Sequence, residues 1–231
     1  MAMLRVGIVG WRGMVGSVLV QRMREERDFD HIEPVFFSTS QAGVSGPVKS
    51  AEAVKDAKDV GELKKLPVIV SCQGGDYTSE VYPKLRREGW KGYWIDAAST
   101  LRMNDDAVII LDPVNMPLIK DAVAKGTKNF IGGNCTVSLM LMGMAGLFQR
   151  DEIEWMTSMT YQAASGQGAA AMRDLVAQMA AVGARAKPLL VDPAAAILES
   201  VGNVTESIRS RELPSKEIGY HLAGRLLPWI D

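Results

Sequence analysis

The sequence is short of the residues that build metal centres and disulfide frameworks. In 231 residues it has two cysteines, Cys72 and Cys135, and two histidines, His31 and His221. Two cysteines in a chain of this length do not make a disulfide framework, and so few sulfur and imidazole ligands predict no metal site. Each cysteine therefore has to be assessed on its own.

An excess of charge of one sign and a long apolar run are also absent. The net charge is −1, and no run of five or six like charges argues for nucleic acid or an anionic membrane as partner. No segment reaches the roughly 18 apolar residues of a membrane span, and the N-terminus lacks a basic leader with a cleavage site. We expect a cytoplasmic protein that acts on small molecules.

Short apolar runs alternate with stretches of helical periodicity, which predicts an α/β fold with a mostly parallel sheet. The predicted strands are LRVGIV, EPVFFS, LPVIVSCQ, GYWIDAA, AVIILDP and KNFIGG, and helices are predicted between most of them. After Cys135 the pattern predicts an apolar helix in TVSLMLMGMAGLFQ, a strand in EWMTSMTYQ and a helix in GAAAMRDLVAQMAAV. We therefore predict two domains, 1–134 and 135–231, whereas residues 41–58 support no assignment.

Three glycines follow the first predicted strand and open the helix after it. GIVGWRGMVGSVLVQRM sets Gly10, Gly13 and Gly16 at steps of three. Glycines at this place let the backbone turn tightly and approach a pyrophosphate, while the helix N-terminus offers amide donors. The spacing differs from the common G-x-G-x-x-G pattern, so a merely structural turn is the alternative. The motif favours a Rossmann-like dinucleotide-binding domain in residues 1–134.

The end of the second strand bears on the identity of the dinucleotide. It reads FFSTSQ, with Ser38, Thr39 and Ser40 where an NAD-binding protein would have a carboxylate. Hydroxyls can donate to a 2′-phosphate, and Arg12 in the glycine turn adds a cation. The pattern favours NADP(H), and the alternative is that these hydroxyls only bond their own backbone in a turn.

The two cysteines differ in their surroundings. GGNCTVSLMLM places Cys135 at the start of a helix, where the helix dipole and free amides stabilise a thiolate. From these residues alone, a nucleophile and a buried structural cysteine are equally open, because free cysteine is among the most buried residue types. Cys72 ends a strand with no helix starting at it, and we predict a structural role.

Seven blocks in order resemble the aspartate-β-semialdehyde dehydrogenase family, in the form found in Gram-negative bacteria. They are GWRGMVGSVL, FFSTSQ, SCQGGDYT, GYWIDAASTLRM, ILDPVN, GGNCTVSLMLM and TYQAASGQG, and the likeness continues to LPWID at the end. The resemblance implies an NADP-binding Rossmann domain, then an α+β catalytic and dimerisation domain, in a homodimer. It also implies reduction of L-aspartyl-4-phosphate to the semialdehyde with NADPH, through a cysteine thioester.

The resemblance also implies roles for individual residues. Cys135 is the expected nucleophile, Arg102 the expected clamp of the substrate phosphate, and Gln162 and Asn134 are expected to contact the substrate. Together with the glycine turn and the hydroxyls above, the expected cofactor-contacting residues are Gly10, Arg12, Gly13, Met14, Val15, Ser38, Thr39, Ser40, Gln73, Ser165, Gly166, Gln167, Gly168, Ala169 and Pro193.

Members of this family are longer than the present chain. The resemblance puts the family's catalytic histidine, and the arginine that grips the substrate carboxylate, beyond Asp231, while His31 and His221 match no base motif and are expected at the surface. We therefore expect an N-terminal fragment with little activity alone, unless a second chain supplies the remainder. The alternatives are the related N-acetyl-glutamyl-phosphate reductase and a non-catalytic NADP-binding module.

Overall fold

The computed structural model describes residues 3–48, 52–191, 197–209, 213–216, 219 and 221–224. The chain divides into two compact units, Met1–Thr160 and Tyr161–Asp231. The domain boundary near residue 134, which rests on the change in sequence pattern there, stays a prediction.

The first unit is built on a seven-stranded sheet in which all paired strands are parallel. In chain order the strands are β1 Leu4–Val9, β2 Ile32–Ser38, β3 Lys55–Asp56, β4 Val68–Ser71, β5 Tyr93–Asp96, β6 Ala107–Ile110 and β7 Asn129–Gly132. Their order across the sheet is β3-β2-β1-β4-β5-β7-β6. The predicted α/β class with a parallel sheet is confirmed, and β3 lies in the segment that the sequence pattern left unassigned.

Helices connect most of these strands and continue into the second unit. They are α1 Met14–Glu25, α2 Val60–Leu63, α3 Gly75–Arg87, α4 Met116–Ala124, α5 Cys135–Gln149, α6 Ala169–Val191 and α7 Ile197–Arg209. In the part of the chain that the structure describes, no helix is both long enough and apolar enough to cross a membrane.

Apolar side chains cover both faces of the central strands, as a parallel sheet between layers of helices requires. Neighbouring residues of β2 take opposite sides, because successive side chains of a strand alternate. Phe37 belongs to a cluster with Leu85 and the fully buried Trp94, whereas Phe36 packs with Ile8 on the other face. This two-sided core holds the carboxyl ends of the strands in register.

The predicted strand in EWMTSMTYQ is wrong. Residues 154–162 contain no strand, and Trp155, Met159 and Tyr161 are 76%, 92% and 79% exposed. An alternating pattern becomes a strand only where a neighbouring backbone completes its hydrogen bonds. Among the described residues, no strand pairs with this segment.

The second unit, as far as it is described, is helical. Helix α6 contacts α7 and the 3₁₀ turn Ala164–Gln167. The fully buried Gln178 of α6 accepts hydrogen bonds from the amides of Leu222 (2.6 Å) and Ala223 (3.0 Å). These bonds hold the segment 221–224 against α6, and His221 in this segment is only 7% exposed. The expectation that His221 lies at the surface is therefore wrong, whereas His31 is exposed.

Candidate active site

The glycine turn joins β1 to α1 with no room for side chains at two of its positions. Gly10 has φ +77°, and a Cβ there would lie 2.5 Å from the backbone carbonyl carbon of Cys72. A Cβ on Gly16 would lie 2.2 Å from the carbonyl oxygen of Gly10. Glycine is therefore required at both positions, because backbone atoms rather than flexible side chains occupy the space.

The start of α1 lies directly beyond this turn. Gly13 is its N-cap residue, and the Gly13 amide donates to the Gly10 carbonyl oxygen over 3.0 Å. Met14 and Val15 in the first turn are 53% and 55% exposed. The first amides of a helix lack partners within the helix, so this end offers donors for a pyrophosphate.

The hydroxyls at the end of β2 have two different environments. The Ser38 hydroxyl is buried and accepts hydrogen bonds from the backbone amides of Ser40 (3.3 Å) and Gln41 (3.1 Å), as in the turn-forming alternative. Thr39 and Ser40 are exposed. Arg12 reaches across from the glycine turn and donates to Ser38 Oγ (3.1 Å) and Ser40 Oγ (2.9 Å). The result is a cationic, hydroxyl-lined surface with no carboxylate at positions 38–40.

At the end of β4, Cys72 and Gln73 lie beside the glycine turn. Gln73 is exposed, and a Cβ on Gly10 would come within 2.6 Å of its backbone nitrogen. Cys72 is partly buried, and this burial, with a smaller contribution from the charge of Asp96, raises the pKa of its thiol to about 11. A thiol with so high a pKa is almost wholly protonated near neutral pH, so the geometry agrees with a structural role.

Cys135 is the first residue of α5 and its side chain is exposed. Asn134 is the N-cap residue, and its Oδ1 accepts hydrogen bonds from the amides of Thr136 and Val137, each 3.1 Å. The cap fixes where the helix begins. Because Cys135 is the first residue of α5, it lies at the positive end of the helix dipole. Within the part of the chain that the structure describes, Cys135 is therefore not buried, in contrast to the buried structural cysteine that was the alternative.

Arg102 is attached to the loop that carries this thiol. Its Nε donates to the carbonyl oxygen of Gly132 over 2.8 Å, and its Nη2 donates to that of Gly133 over 3.2 Å. Arg102 follows the 3₁₀ turn Ser99–Leu101 after β5, so these bonds join the ends of β5 and β7. The Arg102 guanidinium therefore lies against the carbonyl oxygens of the residues two and three positions before Cys135 in the chain.

Asp96, which the sequence patterns above do not single out, ends β5 and is 2% exposed. Its Oδ2 accepts hydrogen bonds from Thr78 Oγ1 (2.5 Å) and Trp94 Nε1 (3.0 Å), and its Oδ1 accepts one from the Ala98 amide (2.9 Å). Burial raises the pKa of Asp96, and these hydrogen bonds offset part of the rise. An acidic residue at the carboxyl end of an apolar parallel strand was the available signal.

Because the pKa of Asp96 is raised in the folded protein, we expect the free energy of unfolding to depend on pH. The folded state binds the proton of Asp96 more tightly than the unfolded chain does, so the wild type loses stability as pH rises from about 4 through the folded-state pKa. Asp96→Asn has no such proton, and the other carboxyl groups titrate alike in both proteins. Urea unfolding between pH 4 and 7 should show the wild type losing stability relative to D96N with rising pH. A constant difference would contradict this.

The remaining predicted site residues lie in the second unit. Gln162 is half-buried, and Ser165–Gln167 belong to the 3₁₀ turn before α6. Gly168 has φ +90° and separates this turn from α6, which begins at Ala169. Pro193 lies outside the described residues. Over the described ranges, no group of three or more His, Cys, Asp or Glu side chains could hold a metal ion.

A parallel sheet with a glycine turn at the end of β1 and a helix starting behind it defines the class of Rossmann-like dinucleotide-binding proteins. The chain belongs to the semialdehyde dehydrogenase family. The model described as semialdehyde dehydrogenase, NAD binding domain, matches residues 5–122, and that described as semialdehyde dehydrogenase, dimerisation domain, matches residues 144–231. The resemblance seen in the sequence blocks is thereby confirmed, and residue 134 falls in the interval between the two matches.

Solved structures of similar proteins agree with this. Aspartate semialdehyde dehydrogenase from Francisella tularensis is 46% identical with a TM-score of 0.88, over 99% of this chain and 62% of its own. The present chain thus spans less than two thirds of that relative's length. Aspartate semialdehyde dehydrogenase II from Vibrio cholerae, complexed with ASA, is 22% identical with a TM-score of 0.63, over 78% of this chain and 52% of its own. A probable aspartate-semialdehyde dehydrogenase from Pseudomonas aeruginosa is 19% identical with a TM-score of 0.59, over 78% of this chain and 52% of its own. The last two show the fold alone.

Proposed function

We propose that this protein catalyses the NADPH-dependent reductive dephosphorylation of L-aspartyl-4-phosphate to L-aspartate-4-semialdehyde. This reaction lies on the route to lysine, threonine, methionine and isoleucine. The observation that carries the proposal is the exposed Cys135 at the N-terminus of α5, directly after a loop that Arg102 holds. We further propose that residues 1–134 bind the cofactor, that 135–231 belong to a catalytic and dimerisation domain, and that the protein is a cytoplasmic homodimer.

The position of Cys135 suits acyl transfer. Its thiolate attacks the carbonyl carbon of the acyl phosphate, a carbon–sulfur bond forms, and phosphate leaves with the electron pair of the broken carbon–oxygen bond. The resulting thioester is more susceptible to reduction than the carboxylate would be. When bound, NADPH supplies the hydride that reduces this thioester. The hemithioacetal then expels the Cys135 thiolate and releases the aldehyde.

Three further side chains are proposed to hold the substrate. Arg102 binds the phosphate, a role that suits the planar guanidinium because it donates hydrogen bonds to two oxygens at once. Gln162 is proposed as a further contact of the substrate. Asn134 contacts the substrate while it caps α5, and its cap bonds to the amides of Thr136 and Val137 keep it in place.

The residues of the glycine turn and the end of β2 fit NADP(H). Gly10 and Gly16 let the turn pack backbone against backbone on the ends of β4 and α1. The cationic, hydroxyl-lined surface of Arg12, Thr39 and Ser40 carries no negative charge that would repel a 2′-phosphate. The N-terminal turn of α1 is proposed to face the pyrophosphate. Gln73, the segment Ser165–Ala169 and Pro193 are proposed as further cofactor contacts.

Arg12→Ala should separate the two dinucleotides. We expect the variant to lose affinity for NADPH by roughly tenfold and to keep its affinity for NADH, because only NADPH has the 2′-phosphate that forms a charge-assisted bond. Fluorescence titration with both nucleotides measures this. The matched control is Arg22→Ala, since the Arg22 side chain is exposed on α1 and pairs with Glu25 and Glu26. An equal loss for both nucleotides would contradict the 2′-phosphate assignment.

Thiol labelling tests whether Cys135 is the accessible and reactive thiol that the catalytic proposal requires, whereas a non-catalytic NADP-binding module needs only to bind NADPH. With a neutral alkylating reagent near pH 7, we expect Cys135 to be modified at least about tenfold faster than Cys72, because Cys135 is exposed and the Cys72 pKa is raised to about 11. Peptide-resolved mass spectrometry measures both rates in one sample. Equal rates in the folded protein would favour the module.

The substrate is tested by following the oxidation of NADPH, and this and the later rate measurements use a protein that also carries the part of its relatives' length that this chain does not span. We expect turnover with L-aspartyl-4-phosphate to exceed turnover with N-acetyl-glutamyl phosphate, the substrate of the related reductase. The reverse preference would replace the proposed substrate while leaving the thioester chemistry in place.

A further inference from the structure

Asp96 lies between the two strands whose loops carry the cofactor-contacting and thiol residues. In the sheet it is opposite Ser71 of β4 on one side and Ile131 of β7 on the other. The loop after β4 contains Gln73, and the loop after β7 leads to Cys135. A side chain at the end of β5 is thus adjacent to both halves of the candidate site in the first unit.

One carboxylate oxygen of Asp96 is tied to α3. Its Oδ2 accepts the hydroxyl hydrogen of Thr78, which is fully buried in the first turn of that helix. The Thr78 amide donates to the carbonyl oxygen of Gly74, the N-cap residue of α3, over 3.2 Å. Asp96 therefore attaches the first turn of α3, whose N-cap residue Gly74 follows Gln73, to the end of β5.

The other oxygen is tied to the turn that leads to Arg102. Oδ1 of Asp96 accepts a hydrogen bond from the amide of Ala98, the residue before the 3₁₀ turn Ser99–Leu101. Arg102 closes this turn, since its amide donates to the carbonyl oxygen of Ser99 over 2.9 Å. The Arg102 side chain then donates to the carbonyl oxygens that precede Asn134.

We propose that Asp96 is a positioning residue for the candidate active site: its carboxylate holds the start of α3 and the turn after β5 in one arrangement, and so holds the Arg102 guanidinium against the loop that carries Cys135. It touches neither substrate nor cofactor and acts through Thr78, Ala98 and Arg102. The proposal rests on the proposed function only in taking Arg102 and Cys135 as the groups that need to be positioned.

The effect can be measured without substrate or cofactor. The Arg102 guanidinium is held at the carbonyl oxygens of Gly132 and Gly133, which precede Cys135 in the chain, and its charge attracts an anionic thiol reagent to this end of the site. The ratio of Cys135 labelling rates with an anionic methanethiosulfonate and with neutral iodoacetamide therefore reports the position of the Arg102 charge. Arg102→Met should lower this ratio about fivefold, the order expected when the attraction of one unit charge in water is removed. Asp96→Ala should lower it by a similar factor although Arg102 is still present.

The sign of this change distinguishes positioning from a simple charge effect. Asp96→Ala removes a negative group, and by charge alone it would raise the preference for the anionic reagent. A fall therefore requires that Arg102 has moved. Asp96→Asn retains an oxygen that can accept from the Ala98 amide. Its side-chain amide can donate to the Thr78 hydroxyl oxygen, because that hydroxyl can turn its hydrogen to the Gly74 carbonyl oxygen 3.3 Å away. The variant should therefore keep the ratio near or above that of the wild type.

The labelling rate of Cys72, measured in the same sample, shows whether the variant has partly unfolded. The Cys72 thiol is partly buried and is labelled slowly only while β4 and its surroundings stay packed. A fall in the Asp96→Ala ratio with Cys72 still slow supports the proposal. An unchanged ratio, or a fall seen only with rapid Cys72 labelling, overturns the proposal, as does an unchanged ratio in Arg102→Met.

If Asp96→Ala does not fold, the variant Thr78→Val is measured instead. A fall of about twofold in its ratio supports the proposal, and no fall overturns it. If the labelling ratios are as expected but the protein does not reduce aspartyl phosphate, only the proposed function is contradicted.

Discussion

Gly16→Ala is expected to destabilise the protein by about 3 kcal/mol and to abolish measurable binding of NADPH. The new Cβ would lie 2.2 Å from the carbonyl oxygen of Gly10 and 2.6 Å from the Cα of Trp11, and both are backbone atoms. Backbone cannot move aside as a flexible side chain can, so α1 has to shift away from the glycine turn. The amides at the start of α1 and the Arg12 guanidinium would shift with it.

The same substitution elsewhere in a helix should have the opposite sign. Gly143 lies within α5, and a Cβ there would meet nothing within 4 Å. Gly143→Ala should therefore be neutral or stabilise by up to about 1 kcal/mol, the usual gain from replacing a helical glycine by alanine. Urea unfolding and a nucleotide titration of both variants make the comparison. If Gly16→Ala were as stable as the wild type, the close packing of α1 on the turn would be wrong.

Cys135→Ser is expected to lower the rate of NADPH oxidation with L-aspartyl-4-phosphate by at least about a thousandfold. Serine is not ionised near neutral pH, and the oxygen ester that it would form is less activated than a thioester. The free energy of unfolding should stay within about 0.5 kcal/mol of the wild type, because the Cys135 side chain is exposed. The loss is therefore chemical rather than structural.

Cys72→Ser is the matched control for this variant. It removes the other thiol of the chain from a partly buried position at the end of β4. We expect it to keep the rate of NADPH oxidation within a few-fold of the wild type, since no step of the proposed reaction uses it. A large loss in Cys72→Ser together with an active Cys135→Ser would exchange the roles of the two cysteines.

Local patterns were sufficient for most of the first unit. Apolar runs bounded by turn residues identified six of the seven strands of the sheet, because central strands of a parallel sheet are buried on both faces. The two-residue β3 was missed because it buries too little to impose a pattern on its sequence. The start of α5 at Cys135 could be predicted because Asn134 is a strong capping residue.

Features that depend on distant partners could not be predicted in this way. The segment EWMTSMTYQ alternates as a strand does, but pairing requires another backbone, and no local signal shows whether one is present. The burial of His221 depends on Gln178, which is more than forty residues earlier in the chain. Asp96 was overlooked because its partners Thr78 and Ala98 lie on different elements, and only the fold brings them together.

The different roles proposed for Cys135 and Cys72 can be tested directly in the first step of the reaction. The protein is mixed with L-aspartyl-4-phosphate in the absence of NADPH, quenched in mild acid, and digested for peptide-resolved mass spectrometry. Without a hydride donor the proposed reaction stops at the thioester, so the acyl group should remain on the enzyme long enough to be located.

We predict an aspartyl group in thioester linkage on Cys135, an unmodified Cys72, and no acylation in Cys135→Ser. Phosphate should be released in equal amount to the acyl-enzyme formed. A free and still alkylatable Cys135 in the presence of excess acyl phosphate, or an acyl group on another residue, would contradict the assignment of Cys135 as the nucleophile.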